Sequence, residues 1–327
     1  MSMDLDVARL TKNYGSHRAV DEVSFTAPAG KICGILGPNG AGKSSTIRMI
    51  VGIVAPTSGQ VLFGGAALDR RALRAVGYLP EERGLYRTMT PLSTLIYFAR
   101  LKGMKMGDAK RRALELLTAH GLDGFARKRI KTLSKGMAQK IQLLAAIAHR
   151  PRLVILDEPF SGLDPVNQAG VETMIRGLAE EGCTVLFSTH IMEHAERMCD
   201  RVVLIAQGRL AFEGAVSEAL AAAPRVAHLE TEGAFDLAAA LAGQGFNLER
   251  ERVLPDRIRW RAPLDAPDSS RRLLAACVSS GAPLVLFEPT RATLHDAFVR
   301  LVGAQAAPPR PDPETGWRQV EREARHA

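Results

Sequence analysis

The chain has 327 residues, of which 46% are hydrophobic and 24% are charged, as in an ordinary soluble globular protein of two or three modules. No apolar run reaches the roughly 18 residues of a membrane span, and the N-terminus lacks the features of a signal peptide. We therefore expect a cytoplasmic protein. The formal charge of +8 fits an anionic partner or an arginine-rich solvated surface. Four scattered cysteines without a C-x-x-C pair argue against a disulfide framework or a zinc site.

Residues 3–30 are predicted to form short strands around a turn at Asn13–Ser16. Tyr14 lies in this turn, and the face of an exposed aromatic ring can stack on a nucleotide base. The alternative is an aromatic side chain that covers the core at the end of a strand.

The central motif is the stretch 37–44, which reads G-P-N-G-A-G-K-S after the apolar run Ile32–Leu36. It matches the phosphate-binding pattern G-x-x-x-x-G-K-[ST] in the required strand–loop–helix context. We expect backbone N–H groups to bind a polyphosphate, Lys43 to reach its β- and γ-phosphates, and Ser44 to bind Mg²⁺. A glycine-rich turn with a chance lysine is the disfavoured alternative. The predicted nucleotide-binding residues here are Gly37, Pro38, Asn39, Gly40, Ala41, Gly42, Lys43, Ser44 and Ser45.

Beyond this loop, strands are predicted at Gln60–Phe63 and Arg74–Pro80, the second leading to Glu81. Apolar residues then recur at helical spacing from Pro91 to Ala148.

Two continuous apolar runs predict central parallel strands that are buried on both faces. Leu153–Asp157 is followed by Glu158, and Thr184–Thr189 is followed by His190, with a predicted helix between them at Val166–Glu181. Ligands of open parallel sheets lie at the carboxyl ends of the strands. There Asp157 is expected to hold Mg²⁺, Glu158 to accept a proton from the attacking water, and His190 to contact the γ-phosphate. The alternative for His190 is a solvated histidine at a strand end.

These motifs, in their order and spacing, resemble those of an ATP-binding cassette (ABC) ATPase over roughly residues 3–216. The motifs are Gly37–Ser44, Leu133–Met137, Leu153–Glu158, Ser161–Asp164 and His190. The resemblance implies a head-to-tail dimer with two ATP molecules at its interface. Ser134 and Gly136 of one subunit would face the γ-phosphate held by Lys43 of the other, Asp164 would couple the two sites, and Tyr14 matches the family's adenine-stacking aromatic.

Two positions depart from the family pattern. Residues 133–137 read L-S-K-G-M rather than L-S-G-G-Q, and Glu81 replaces the family's glutamine. The carboxylate of Glu81 can approach Mg²⁺, so Glu81 joins Ser44 and Asp157 as a predicted metal ligand, but it cannot donate a hydrogen bond.

The predicted fold class is α/β: a P-loop NTPase parallel-sheet core with an N-terminal antiparallel β subdomain and a helical insert, plus a small C-terminal α+β domain. The predicted boundaries are 1–218 for the ATPase domain, with the insert at about 88–150, and 225–303 for the C-terminal domain. The element order βαββαβ in the C-terminal domain suggests a ferredoxin-like fold. This domain resembles the accessory domain of a sodium- or drug-export branch, which often carries the Glu-Pro seen here at Glu288–Pro289. Residues 304–327 are expected to be disordered.

The resemblance implies an ATP-binding and ATP-hydrolysing subunit of an exporter, dimerising with a second copy or a homologous ATPase. It would be held at the inner face of the cell membrane by a separate permease, whose helix would dock near Glu81–Tyr86. The alternative is a soluble ABC ATPase that acts on nucleic acid or ribosomes. One cassette and no sustained heptads disfavour it, so nucleic acid is not an expected partner. A pseudo-ATPase regulator is disfavoured because Lys43, Asp157, Glu158 and His190 are all present.

Overall fold

The computed structural model describes residues 3–69, 71–82, 84–223, 225–266 and 268–303. By its internal contacts the chain divides into two compact units, Met1–Val216 and Ser217–Ala327. The predicted disordered tail, 304–327, lies outside the described residues. Within the described ranges, no helix combines the length and apolar character that crossing a membrane requires.

The first unit contains a mostly parallel sheet and a smaller antiparallel sheet. Its strands are β1 Leu5–Tyr14, β2 His17–Ala27, β3 Ile32–Leu36, β4 Ser58–Phe63, β5 Ala66–Ala67, β6 Val76–Leu79, β7 Leu153–Asp157, β8 Thr184–Thr189, β9 Arg201–Ala206 and β10 Arg209–Ala215. The larger sheet has the order β10-β9-β3-β8-β7-β6, in which only β10 runs antiparallel to its neighbour. The smaller sheet has the order β2-β1-β4-β5.

The middle strands of the larger sheet are covered on both faces. All residues of β3, β7 and β8 are buried, as the continuous apolar runs predict. One core cluster joins Ile35 of β3, Leu5 of β1 and Ile47 of the helix α1 (Lys43–Ile50). The antiparallel sheet and α1 therefore pack on one face of the parallel sheet and fix the loop between β3 and α1.

The helical insert lies between β6 and β7. Its helices are α2 Pro91–Leu101, α3 Met106–Ala119 and α4 Lys135–Ile147. Thr90 begins α2 with a capping box and Pro91 occupies its first turn, a sequence signal for a helix start. The remaining helices of the first unit are α5 Pro165–Glu180 and α6 Met192–Met198, and α7 Val216–Ala222 follows at the division between the units.

The second unit has the predicted βαββαβ order. Its elements are β11 Val226–Glu232, α8 Leu237–Ala240, β12 Glu249–Val253, β13 Arg257–Pro263, α9 Ser269–Ser279, β14 Leu284–Thr290 and α10 Leu294–Val302. The sheet is antiparallel with the order β12-β13-β11-β14, which is the arrangement expected of a ferredoxin-like sandwich. Trp260 and Leu229 are buried on the face that packs against Leu237 and Leu273 of the helices α8 and α9.

Candidate functional site

The loop Gly37–Gly42, hereafter the P-loop, joins the carboxyl end of β3 to the start of α1. Gly42 has φ 103°, and a Cβ there would lie 2.6 Å from the carbonyl oxygen of Ala19. A Cβ at Gly37 would collide with the carbonyl oxygen of Ile205. Glycine is therefore required at both ends of the loop, where the backbone passes close to β2 and β9. The loop leads directly into the positive end of α1, where a negatively charged group is favoured.

Lys43 begins α1 and only 6% of it is exposed. Its Nζ donates to the carbonyl oxygens of Gly37 at 2.8 Å and Pro38 at 3.0 Å. Burial lowers the pKa of the Lys43 ammonium, and the charges of Glu158, Asp157 and Glu81 oppose that shift. The fold thus brings the predicted metal and base carboxylates into the field of the P-loop lysine, although they come from separate elements.

Asp157 and Glu158 continue from the end of β7 and have different partners. Asp157 is 2% exposed and its Oδ1 accepts a hydrogen bond of 2.6 Å from Ser188 Oγ. The backbone N–H of Glu158 donates to the same Ser188 Oγ at 3.1 Å. Glu158 has φ 49°, a left-handed conformation that is costly for a residue with a side chain and that is concentrated at functional sites.

His190 follows β8 and faces Glu158. Its Nδ1 lies 2.8 Å from Glu158 Oε1, and because a carboxylate only accepts, the proton of this hydrogen bond is on Nδ1. The imidazole is nearly half exposed, whereas only 11% of the Glu158 side chain is exposed. The Glu158 carboxylate is therefore oriented by the histidine at the edge of a buried site.

Ser188 is a site residue that sequence reasoning missed. The parallel register pairs Asp157 with Ser188 across β7 and β8, which places a hydroxyl beside both acids. A sequence signal exists, since Ser188 directly follows the apolar stretch Val185–Phe187 and lies two residues before His190, but only the register shows what it contacts.

The motif Leu133–Met137 forms the beginning of α4. Ser134 is the N-cap, and its Oγ accepts from the Met137 N–H at 3.2 Å. A Cβ at Gly136 would collide with the side chain of Asn167, so glycine allows α4 to approach α5. Lys135 is exposed and its ammonium lies against Gly162. The structure describes one chain, and within its described residues no hydrogen bond joins Ser134 or Gly136 to the P-loop.

Asp164 caps α5. It accepts hydrogen bonds from the backbone N–H of Asn167 at 2.9 Å and from Asn167 Nδ2 at 2.6 Å. These two bonds, the backbone one first, lower the pKa of the Asp164 carboxyl. Asn167, which also contacts Gly136, therefore links Asp164 to the start of α4.

Tyr14 and Glu81, predicted to stack on adenine and to bind Mg²⁺, are both exposed. Tyr14 ends β1, is 46% exposed, and has Lys12 Nζ 5.2 Å from its ring centroid. Glu81 is exposed in the loop after β6. Ser44 and Ser45 belong to the first turn of α1.

Comparison with known proteins agrees with this geometry. A model of the ABC transporter family matches residues 20–161. The uncharacterized ABC transporter ATP-binding protein YhaQ of Bacillus subtilis is 34% identical over 92% of this chain and 99% of its own length. The chain belongs to the family of ABC transporter ATP-binding proteins. The Nod factor export ATP-binding protein I of Rhizobium meliloti is 38% identical to this ABC ATPase over 65% of the chain and 64% of its own length.

A solved structure described as the ATP-binding subunit of an ABC transporter shares the fold. It superposes with a TM-score of 0.61 at 32% identity, over 66% of this chain and 91% of its own. These relatives confirm the predicted family and fold class and an ATP-binding transporter subunit, and they do not support the nucleic-acid alternative.

Proposed function

We propose that this ABC ATPase hydrolyses ATP with Mg²⁺ and acts as a head-to-tail pair. The observation that carries the proposal is the shared contact of Ser188 with Asp157 and Glu158 beside the buried Lys43. Among the described residues no group of three or more Asp, Glu, His or Cys could hold a metal ion. Mg²⁺ is commonly held by one or two carboxylates together with substrate phosphates, so Asp157, Glu81 and the Ser44 hydroxyl fit this ion.

In the proposed reaction the chain's own residues position a water and the phosphates. Lys43 exchanges its carbonyl contacts for β- and γ-phosphate oxygens, and the P-loop N–H groups hold the chain of phosphates. Glu158 accepts a proton as the water oxygen bonds to the γ-phosphorus, and the bond to the bridging oxygen of ADP breaks. His190 orients Glu158 and reaches the γ-phosphate. Bound Mg²⁺ neutralises charge that develops on the phosphate oxygens.

The experiment compares Glu158→Gln with the native chain and with Lys43→Ala. Glutamine keeps the size of Glu158 but cannot take a proton, so we expect ATP binding with turnover reduced about a hundred- to ten-thousand-fold. Closed dimers should then accumulate with ATP on gel filtration. Lys43→Ala should lose nucleotide binding or turnover and stay monomeric. Native turnover in Glu158→Gln would exclude Glu158 as the base, and a monomer with bound ATP would contradict the paired assembly.

We further propose that a permease helix docks in a groove of the helical insert, and that the pair drives export, as the name of the Nod factor relative says of that protein. The groove is a cavity of about 300 Å³ between β6, α2 and α4. Nearby, Tyr86 and Tyr97 are exposed and pack edge to face at 5.9 Å. The residues that line the groove are Tyr78, Pro80, Gly84, Leu85, Phe98, Lys102, Gln142, Ala145, Ala146 and His149.

Phe98→Asp tests this docking surface, because a carboxylate in an apolar groove loses its solvation when a helix covers it. We expect the native chain to co-purify with an integral membrane protein from detergent-solubilised membranes and Phe98→Asp to lose most of it. Leu114→Asp, at a 44% exposed position of α3 outside the groove, is the matched control. If the native chain captures no membrane protein, coupling to a permease is contradicted. If Phe98→Asp captures as much membrane protein as the native chain, the groove is not the docking surface.

A further inference from the structure

A second cavity has a polar lining and a volume of about 580 Å³, and it lies where the parallel strands begin. Arg150 and Arg152 line it just before β7, and Glu181 lines it just before β8. Asp157 and His190 mark the carboxyl ends of the same strands. This arginine cavity is therefore at the opposite edge of the sheet from the P-loop and is a different site.

Cationic groups dominate its lining. Arg112, Arg150 and Arg152 face one lining carboxylate, that of Glu181. Just outside, Glu115 approaches Arg112 Nη1 at 3.8 Å and Arg150 Nη2 at 4.0 Å, which is too far for hydrogen bonds. Glu115 therefore forms only long ion pairs with Arg112 and Arg150, and neither guanidinium group has a carboxylate at hydrogen-bond distance among the described residues.

Arg112 is the most enclosed of the three. Its side chain is 22% exposed, and its Nε is buried with no hydrogen-bond partner in the described part of the chain. Burial lowers the pKa of Arg112, and the charge of Arg150 lowers it further. The guanidinium group as a whole still lines the cavity, and a partly buried charge without a close counter-ion is costly, so an anion beside its exposed nitrogen atoms would stabilise this arrangement.

The backbone conformation of Arg150 is a further argument for an anion site. Arg150 has φ 55°, the left-handed conformation in which glycine or asparagine normally follows a helix. Here an arginine adopts it and directs a cationic residue to the cavity, and such outliers are concentrated at functional positions.

A simpler role would be to neutralise the carbonyl ends of α4 and α5. At each of these helix ends a backbone N–H already binds one carbonyl: Arg150 N–H donates to Ile147 O at 3.0 Å and Cys183 N–H to Leu178 O at 3.0 Å. Among the described residues, no hydrogen bond joins the three guanidinium groups to either helix end.

We propose that the arginine cavity binds a small phosphorylated ligand, with its phosphate held by Arg112 and Arg150. Planar guanidinium groups bind phosphate oxygens in pairs, and a cavity of this size accommodates more than the phosphate itself. This site is independent of ATP hydrolysis and of permease docking.

The test is calorimetric titration of the full chain with inorganic phosphate. We expect saturable binding in the native chain that persists in Lys43→Ala, where the P-loop is disabled. Arg112→Gln and Arg150→Gln should each weaken it about tenfold or more, since a hydrogen bond to a charged group contributes at least that much. Lys110→Gln removes one positive charge from an exposed position of α3 and should change affinity less than about twofold if the binding is local.

Arg150 is largely exposed, so its variant should fold, which thermal melting checks. Phosphate binding that is absent below about 10 mM, a range in which even weak ligands bind measurably, would overturn the proposal. Binding that disappears in Lys43→Ala, or that is the same in Arg150→Gln as in the native chain, would also overturn it.

Discussion

Ser188 illustrates how one hydroxyl positions two acids. It is fully buried, donates to Asp157 Oδ1 and accepts from the backbone N–H of Glu158. Its removal leaves a buried N–H without an acceptor and frees the Asp157 carboxylate to rotate. Loss of a buried partner costs about 1–3 kcal/mol.

We predict that Ser188→Ala loses about that free energy of unfolding in urea and also lowers ATP turnover more than ATP binding. The matched control is Thr184→Val at the start of the same strand, where the hydroxyl donates to Met3 O at 3.1 Å and is equally buried. The control should lose stability without changing turnover. Native turnover in Ser188→Ala would show that the hydroxyl is only structural.

At the scale of elements, the sequence predicts the strands that carry the site. The apolar runs of β7 and β8 are strong signals because both faces are buried, and their ends place Asp157 and His190 at one edge. The register in which β7 and β8 pair is harder to predict than the strands themselves. Neighbouring strands that are buried at every position could pair in several registers, so the contact of Asp157 with Ser188 could not be predicted from the sequence.

The N-terminal hairpin was predicted as short strands, whereas β1 and β2 have ten and eleven residues. The alternation of buried and exposed side chains along β1 and β2 is interrupted where the two strands pair irregularly. Arg9 and Glu22 have positive φ values of 46° and 51°. Bulges shift side chains from one face to the other, so a search for alternation finds only fragments. The fold of the second unit was easier to predict, because its element order alone specifies a common sheet order.

At the scale of the whole molecule, partly buried histidines couple stability to pH. Burial and then the charge of Lys102 lower the pKa of His149 from 6.5 to about 4. Burial lowers the pKa values of His120 and His194 as well. Between pH 4 and 6.5 the unfolded chain binds more protons at His149 than the folded chain does. The free energy of unfolding therefore rises with pH across this window and falls as the solution is acidified.

We predict that His149→Leu flattens this dependence, because the leucine does not titrate and suits the apolar groove. A shift of this size corresponds to about 3 kcal/mol at most, so the native chain should lose up to that amount from His149 between pH 6.5 and 4, and the variant should not. Urea unfolding at half-unit pH steps measures the difference in slope. His17→Gln, at an exposed position in the hairpin, is the control and should keep the native slope. An unchanged slope in His149→Leu would mean that His149 accepts a proton as readily in the folded chain as in the unfolded one.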